Sequence, residues 1–385
     1  MIRTASNEPG LAAYRYGPAR IDVAASDADA ARWLEEFLSP WFAVGPPGRS
    51  PLGVRLTYSA TAFATLERRK AAASLEPRAC FALDREVVEL PGWTEDGDSV
   101  IEDLERDCFY RVRPRSVEIV ARPGFKRVRV GLMRVVRELA AARMLERRSI
   151  LDVHAAAFAV AGRGVLLVGP KQSGKTTLLV SALASGRASL LANDRVFVDV
   201  RQNPGRAYGV PTLVSLRTGT LRWFPGLPQG LPERPALLHA SELEAQAGAA
   251  SRDAAPLHLT LSPAQLAGRL GAGVAASAPI AAIIFPEICP TAASWSLEPV
   301  GLEDGASWLR ENLYGVSTGL RSRTVFEDAA LVPSRGHPQR AKLVDRLASG
   351  IPLFRCRLGR HAYRDGAEAW LRALPLEPIK GKRVA

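Results

Sequence analysis

The chain has 385 residues, of which 47% are hydrophobic and 23% are charged, values that are ordinary for a globular protein. A chain of this length can bury a sizeable core without disulfides or structural metals. Typical domain sizes predict two domains, or one domain with an added module. The formal charge is +12, and 44 of the 51 basic residues are Arg. Because most of these Arg residues are dispersed, the excess favours a compositional bias over an acidic or nucleic-acid partner.

The spacing of the cysteines and the composition of the N-terminus indicate which cellular compartment to expect. Four cysteines lie far apart in the sequence, and none has the spacing typical of zinc ligands. Reduced, buried thiols are therefore expected, as in a cytoplasmic protein. The first ten residues lack the charged-then-apolar design of a signal peptide. No apolar run approaches the ~18 residues that a membrane helix needs, so no membrane partner is expected.

Residues 1–148 are predicted to form a smaller N-terminal α/β module. Ser26 is of a residue type that caps helices, and Pro40 is of the type that ends them. Between them, apolar residues recur at helical spacing: Trp33, Leu34, Phe37 and Leu38. Residues 53–59 (GVRLTYS) are predicted to form a strand, and residues 134–147 a helix with one apolar face.

A strongly basic stretch runs from Arg111 to Arg137, with nine basic residues and one acidic residue, Glu118. Within it, residues 116–121 and 126–131 alternate apolar and polar side chains on either side of Arg-Pro-Gly, which predicts a β-hairpin. The alternating Arg side chains would then form either a solvated strand face or a docking surface for an acidic substrate. Aromatic residues are not interleaved with these cations, so a nucleic-acid partner is not expected.

The region from residue 149 to 385 is predicted to contain strands packed on helices. Short apolar runs bounded by turn residues predict strands, and capped periodic runs predict helices. The predicted strands are residues 165–169, 195–200 and 280–285, and the predicted helices are residues 176–185, 262–270, 304–313 and 366–374. Residues 225–256 are rich in Pro, Ala and Gly, which predicts a loop or a mobile insertion.

Residues 169–176 read GPKQSGKT and match the Walker A pattern GxxxxGK[ST], between an apolar strand and a helix. In such a loop, backbone N–H groups at a helix N-terminus meet a β-phosphate. Gly174 lets the backbone approach closely, Lys175 neutralises β- and γ-phosphate oxygens, and Thr176 ligates Mg²⁺. The pattern predicts that ATP with Mg²⁺ is bound by Gly169, Pro170, Lys171, Gln172, Ser173, Gly174, Lys175, Thr176 and Thr177.

The segment from residue 154 to residue 199 resembles the catalytic core of the HPr kinase/phosphorylase family and its HPr-kinase-related relatives. That family places a His before a glycine-bearing hairpin, then the Walker A loop, a helix, and an acidic pair followed by Arg and a strand. Here His154 takes the first position, and Asn193-Asp194-Arg195 takes the position of the acidic pair and Arg. The likeness covers about fifty residues strongly, and the same residues are more weakly similar to phosphoenolpyruvate carboxykinase.

This resemblance implies an α/β P-loop kinase core of the HPr kinase/phosphoenolpyruvate carboxykinase type over residues 149–385. It implies transfer of the γ-phosphoryl group of ATP to a hydroxyl, a Ser or Thr on a small protein or peptide. In the family, the first acid of the pair is the proposed base and the second is the Mg²⁺ partner. Asp194 keeps the second role, but the amide of Asn193 cannot act as a base, which leaves His154 or Asp194 to accept the proton.

Several alternatives stay open at this point. The same core suits a small-molecule kinase, and Asn193 favours a slow or non-catalytic NTPase that acts as a nucleotide switch. Arg195 is either a γ-phosphate contact or part of a structural ion pair, and Arg217 is a weaker candidate for stabilising charge in the transition state. A protein or peptide substrate is the expected partner, and whether it is acidic stays open. The choice between ATP and GTP as the nucleotide, and a homo-oligomeric state, also stay open.

Overall fold

The computed structural model describes residues 10–48, 50, 52–83, 86–249, 258–315, 326, 340–359, 368–374 and 376. Helices and strands are mixed throughout, which confirms the α/β class. The chain divides into two compact units. The first comprises Met1–Arg148, Arg234–Ala245 and Tyr314–His337, and the second comprises Ser149–Glu233, Gln246–Leu313 and Pro338–Ala385.

The first unit is built on a nine-stranded sheet. Its strands are β1 (Leu11–Tyr16), β2 (Ala19–Ala25), β3 (Ala43–Gly45), β4 (Leu52–Tyr58), β5 (Glu76–Leu83), β6 (Glu86–Glu95), β7 (Asp98–Asp103), β8 (Cys108–Arg113) and β9 (Ser116–Ala121). Their order in the sheet is β3-β1-β2-β4-β9-β8-β7-β6-β5. Strands β2, β4 and β9 are mutually parallel, and the other neighbours are antiparallel.

Three helices pack within this unit: α1 (Ala28–Leu38), α2 (Ala60–Ala72) and α3 (Val128–Leu145). Helix α1 confirms the predicted helix, and its four predicted apolar residues are all buried. The cap is one residue later than expected, because the Asp27 side chain accepts a hydrogen bond from the backbone N–H of Asp29. Strand β4 confirms the strand predicted for residues 53–59.

The predicted hairpin is wrong in its second arm. Residues 116–121 do form β9, but the hairpin partner of β9 is β8, and residues 128–131 are the first turn of α3. Helix α3 starts six residues before the predicted helix because Val128, Leu132 and Val135 extend the apolar face backwards at helical spacing. All three are fully buried, so burial of a helical face outweighs six residues of strand-like alternation.

The nine basic residues of this stretch do not form one charged face. Arg113 pairs with Asp98 at 2.9 Å, and Lys126 pairs with Glu242 at 3.2 Å. Arg129, expected on the exposed face of a hairpin, is buried in α3 instead. These three cations therefore do not share the single hairpin face that the sequence predicted.

The strands of the second unit form a second nine-stranded sheet and a two-stranded ribbon. They are β10 (Ile150–Val160), β11 (Arg163–Val168), β12 (Ala188–Ala192), β13 (Arg195–Asp199), β14 (Arg206–Gly209), β15 (Val214–Arg217), β16 (His258–Leu261), β17 (Gly273–Val274), β18 (Ser277–Ile288), β19 (Trp295–Pro299) and β20 (Leu353–Leu358). Strands β15 and β16 make the ribbon, and the others make the sheet.

The remaining helices confirm several predicted boundaries. They are α4 (Lys175–Ala184), α5 (Thr218–Leu221), α6 (Ala240–Ala249), α7 (Pro263–Arg269), α8 (Leu302–Glu311), α9 (Arg340–Ser349) and α10 (Glu368–Arg372). Helix α4 ends before Gly186, whose φ of +71° is the left-handed conformation expected after a helix. Helix α7 begins with a capping box between Ser262 and Gln265.

The loop predicted for residues 225–256 is wrong in part. A 3₁₀ turn at Pro235–Leu237 and helix α6 lie within it, and residues 250–257 lie outside the described residues. The Ala and Glu content of α6 supports a helix despite the surrounding Pro and Gly. Within the described part of the chain, no helix is both long and apolar enough to cross a membrane.

All four cysteines are free thiols. Cys80, Cys108 and Cys356 are buried, as expected, and burial raises the pKa of Cys356 to about 12. Cys289 is only half-buried, and a hydrogen bond with the Thr291 hydroxyl lowers the pKa of its thiol.

The topology of the second sheet brings the carboxyl ends of three strands to one edge. Strand β10 pairs with β13 through residues 150–154 and with β11 through residues 155–160. Strand β18 is parallel to both β11 and β20. Because the carboxyl ends of parallel strands open to one edge, Val168, Ile288 and Leu358 mark the edge where ligands usually bind in α/β sheets.

Candidate functional site

The loop of residues 169–174 joins the carboxyl end of β11 to the N-terminus of α4. Gln172 has a φ of +67° and Gly174 a φ of +101°, so the chain makes two left-handed steps before the helix. A Cβ at Gly169 would lie 2.9 Å from Ser173 Oγ, which shows how tightly the loop closes. The loop therefore leads directly to the first N–H groups of α4, which have no partners within the helix.

Lys175 directs its charge into this loop. The residue is only 7% exposed, and Nζ donates hydrogen bonds to the carbonyl oxygens of Gly169 at 2.6 Å and Pro170 at 2.8 Å. The ammonium is thus held against the backbone of the same loop.

His154 and Asp194 meet where β10 passes from one partner strand to the next. The Nε2 atom of His154 lies 3.4 Å from Asp194 Oδ1, and the backbone N–H of Ala155 donates to the Asp194 carbonyl at 3.1 Å. The backbone N–H of His154 donates to Asn312 O at 2.8 Å. The imidazole is almost buried, whereas the carboxylate is 34% exposed, so the pair can orient a ring proton and still present an oxygen outward.

Asn193 is engaged with the segment that follows β14. Its Nδ2 donates to Leu213 O at 3.3 Å, and its Oδ1 accepts from the Thr212 hydroxyl at 2.8 Å. Because a carbonyl oxygen can only accept, Leu213 fixes which end of the amide is nitrogen. The side chain expected at the position of the base is therefore a structural anchor that needs both a donor and an acceptor.

The same segment is anchored a second time on α4. Thr220 of α5 and Thr177 of α4 share a hydrogen bond of 2.9 Å between their hydroxyl oxygens. Residues 212–220 are thus tied at one end to Asn193, beside Asp194, and at the other end to the residue that follows Thr176. Between the two anchors, Ser215 and Arg217 line the cavity described next.

A cavity of about 580 Å³ brings most of the predicted site together. From the predicted set it is lined by His154, Lys171, Gln172, Gly174, Lys175, Thr176, Thr177, Asn193 and Asp194. The other predicted loop residues, Gly169, Pro170 and Ser173, line a second cavity of about 500 Å³ on the other side of the loop, which also includes Trp308. Both volumes are in the range of small-ligand sites.

Several lining residues had no signal in the sequence. They are Ser215, Gly219, Thr220, Arg222 and Trp223 on the doubly anchored segment and just after it, and Ile288, Pro290, Leu358 and Gly359 at the carboxyl ends of β18 and β20. Arg217, which the sequence suggested, lines the same cavity. Two features bring these residues to the loop: the anchored segment and the order of β18 and β20 in the sheet. A linear pattern contains neither.

Of the two roles considered for Arg195, a γ-phosphate contact or a structural ion pair, the structure shows the ion pair. It is fully buried, and its guanidinium donates three hydrogen bonds to Asp152: Nε to Oδ1 at 2.9 Å and to Oδ2 at 3.2 Å, and Nη2 to Oδ2 at 2.7 Å. The guanidinium also lies 4.9 Å from the centre of the Phe197 ring. A γ-phosphate contact by Arg195 is therefore not supported.

The donors in the main cavity fit Mg²⁺ better than a transition metal. Thr176 offers a hydroxyl and Asp194 a carboxylate, both hard oxygen ligands. Within the described residues, no three or more His, Cys, Asp or Glu side chains are grouped as a metal centre. A magnesium ion here would complete its shell with phosphate oxygens and water, as Mg²⁺ does in nucleotide sites.

The role of Asn193 as an anchor gives a testable expectation. In Asn193→Asp, a carboxylate oxygen would face the Leu213 carbonyl, and we expect a loss of about 1–3 kcal/mol in the free energy of unfolding. Thermal and urea unfolding measure it, with Asn203→Asp in an exposed turn as the matched control. Wild-type stability in Asn193→Asp would contradict the anchoring role.

Comparison with protein-family models and with curated proteins finds no match for this chain. What the cavity can do must therefore be argued from the chemistry of its own residues.

Proposed function

We propose that the protein is an ATP-dependent phosphotransferase of the HPr-kinase-related type. It transfers the γ-phosphoryl group to a hydroxyl of a small protein or peptide. One observation carries the proposal: a single cavity contains Lys175 and Thr176 of a Walker A loop together with the His154–Asp194 pair. These groups supply a phosphate cradle, ligands for a metal ion and a proton acceptor, which phosphoryl transfer requires.

The phosphates are the part of ATP that the cavity is best suited to hold. The N-terminus of α4, with its favourable dipole, and the Lys175 ammonium favour an anion at this point. Thr176 and Asp194 would hold Mg²⁺, which neutralises negative charge on the phosphate oxygens.

His154 is our candidate for the group that accepts the proton of the acceptor hydroxyl. Asn193 cannot do so because its amide has no basic atom and is held by Thr212 and Leu213. The Asp194 carboxylate lies 3.4 Å from Nε2 and can orient the imidazole. Since phosphoryl transfer depends mostly on positioning and charge neutralisation, one displaced base is compatible with a working kinase.

The charges around the cavity favour an acidic acceptor. Among the described lining residues, the cations are Lys171, Lys175, Arg217 and Arg222, and the acidic residue is Asp194. Lys175 and Asp194 are assigned to the phosphates and the metal ion, which leaves three cations for other negative charge. An acceptor peptide with acidic residues near its Ser or Thr would complement them.

A nucleotide switch is the second candidate function. Asn193 ties residues 212–220 to the nucleotide site instead of supplying a base, so nucleotide binding has a direct mechanical connection to that segment. The test is transfer from γ-labelled ATP to a panel of Ser- and Thr-containing peptides that differ in acidic content. Labelled acidic peptide supports the kinase, whereas tight ATP binding with no labelled acceptor supports the switch.

Lys175→Ala is expected to weaken ATP binding by about 10- to 150-fold, because a charge-assisted contact contributes about 1.5–3 kcal/mol. Calorimetric titration with ATP and Mg²⁺ measures this. Lys342→Ala on α9 removes the same charge from an exposed position of the same unit and serves as the control. Equal affinities of wild type and Lys175→Ala would refute nucleotide binding by this loop.

Asp194→Asn is expected to reduce ATP affinity in the presence of Mg²⁺ and to leave affinity in EDTA nearly unchanged. The physical reason is that the carboxylate serves the metal ion, whereas the loop serves the phosphates. Titrations with and without Mg²⁺ on both proteins measure the difference. An equal loss under the two conditions would count against Asp194 as a metal ligand.

A further inference from the structure

Strand β15 presents two polar side chains to the nucleotide cavity. Its residues alternate, with Val214 and Leu216 fully buried and Ser215 and Arg217 exposed. Ser215 and Arg217 both line the cavity that contains Lys175 and Thr176. The polar face of this strand therefore forms part of the wall of the cavity that contains the Walker A residues.

The neighbouring strand supplies an imidazole to the same hydroxyl. Strand β16 pairs antiparallel with β15, with His258 opposite Arg217 and Thr260 opposite Ser215. In this register, His258 is a diagonal neighbour of Ser215, and its Nε2 forms a hydrogen bond with Ser215 Oγ. A serine hydroxyl bonded to an imidazole is the arrangement that activates serine as a nucleophile.

The two anchors of residues 212–220 restrict how far Ser215 can lie from the phosphates. Thr220 touches Thr177 and comes five residues after Ser215, a span of at most about 18 Å for extended chain. On the other side, Leu213 is bonded to Asn193 and lies two residues before Ser215. Ser215 thus lies on a short segment that is anchored beside the metal-side carboxylate at one end and on the first turn of α4 at the other.

We propose that Ser215 accepts the γ-phosphoryl group, so that the protein phosphorylates itself. This inference rests on the proposed function, since it needs a nucleoside triphosphate in the Walker A loop. Ser215 Oγ bonds to the γ-phosphorus while the bond from that phosphorus to the β–γ bridging oxygen breaks. The electron pair of the broken bond leaves with the nucleoside diphosphate, and the hydroxyl proton passes to His258 Nε2.

The surroundings of Ser215 suit the product as well. A phosphoserine carries about −1.5 to −2 charges at neutral pH and pairs well with Arg. Arg217 lies on the same face two residues away, so it can pair with the transferred group. Because Ser215 offers a single hydroxyl, we expect this reaction to add one phosphate per chain.

The experiment starts from protein treated with a phosphatase that is then removed. Wild type is incubated with Mg²⁺ and γ-labelled ATP, and intact mass and peptide mapping locate the phosphate. Ser215→Ala should lose the label, and Ser349→Ala, which removes an exposed serine of α9, should keep it. His258→Gln can still hydrogen-bond to the hydroxyl but cannot take its proton, so labelling should slow by about 10²–10⁴-fold.

Thermal unfolding of each variant and ATP titration of wild type accompany the labelling. Phosphate on Ser215 at a rate independent of protein concentration supports transfer within one chain. No phosphate on Ser215 in wild type that binds ATP with Mg²⁺ overturns the inference and leaves the proposed function standing. Absence of ATP binding overturns both, and labelling of His258→Gln at the wild-type rate overturns the role of His258.

Discussion

Asp152→Ala is expected to lower the free energy of unfolding by about 3–5 kcal/mol, the usual cost of leaving a buried charge without its partner. Arg195 is fully buried, and both oxygens of Asp152 accept its hydrogen bonds. Without Asp152, the guanidinium would keep its charge in an apolar interior, because Arg does not lose its proton in proteins. Urea and thermal unfolding of wild type and variant measure the loss.

An exposed ion pair of the same unit provides the control for this prediction. Asp345 pairs with Arg310 and its side chain is 59% exposed, so Asp345→Ala should cost at most about 1 kcal/mol. The double variant Asp152→Leu with Arg195→Met should recover most of the stability, because an apolar pair replaces a buried ionic pair at little net cost. Equal effects of Asp152→Ala and Asp345→Ala would contradict the prediction.

The Asp152–Arg195 pair also helps to position the site, because it joins β10 to β13 next to His154 and Asp194. Asp152 is two residues before His154 on β10, and Arg195 directly follows Asp194 at the start of β13. The bond between them fixes the register of the two strands at the point where His154 meets Asp194. A strand that slips by one residue turns its side chains to the other face, so this pair helps to keep the imidazole beside the carboxylate.

The Walker A loop could be predicted from the sequence because all of its parts are contiguous. Strand, glycine-bearing loop and helix follow one another from Arg163 to Ala184, and Gly174 is needed because its φ is +101°. The same holds for α7, whose capping box is formed within four residues. Local chemistry decides such elements, and a linear pattern contains that chemistry.

Other elements depend on partners that the sequence does not reveal. Residues 126–131 alternate apolar and polar side chains as a strand does. In the folded unit, however, Val128 and Leu132 lie on the buried face of a helix. Ser215 and His258 are 43 residues apart and meet only because β15 pairs with β16. The sequence could show that Asn193 had lost a basic oxygen, but its bonds to Thr212 and Leu213 became visible only in the fold.

His154→Ala is expected to slow phosphoryl transfer to an acceptor by about 10²–10⁴-fold, the contribution usually made by general acid–base catalysis. The affinity for ATP should change little, because the loop and the metal ion hold the phosphates. Asp194 at 3.4 Å cannot fully replace the imidazole, since the same carboxylate is needed to hold Mg²⁺. The loss should therefore appear in the chemical step and leave nucleotide binding largely intact.

Single-turnover transfer from γ-labelled ATP to the best acceptor of the peptide panel measures the chemical step, and calorimetry measures ATP affinity. His239→Ala is the matched control, since His239 pairs with Glu36 in the other unit. A slow chemical step with normal ATP affinity in His154→Ala would assign proton transfer to His154. A wild-type transfer rate in His154→Ala would show that His154 only packs against Asp194 and Asn312. Another group in the cavity would then have to accept the proton of the acceptor hydroxyl.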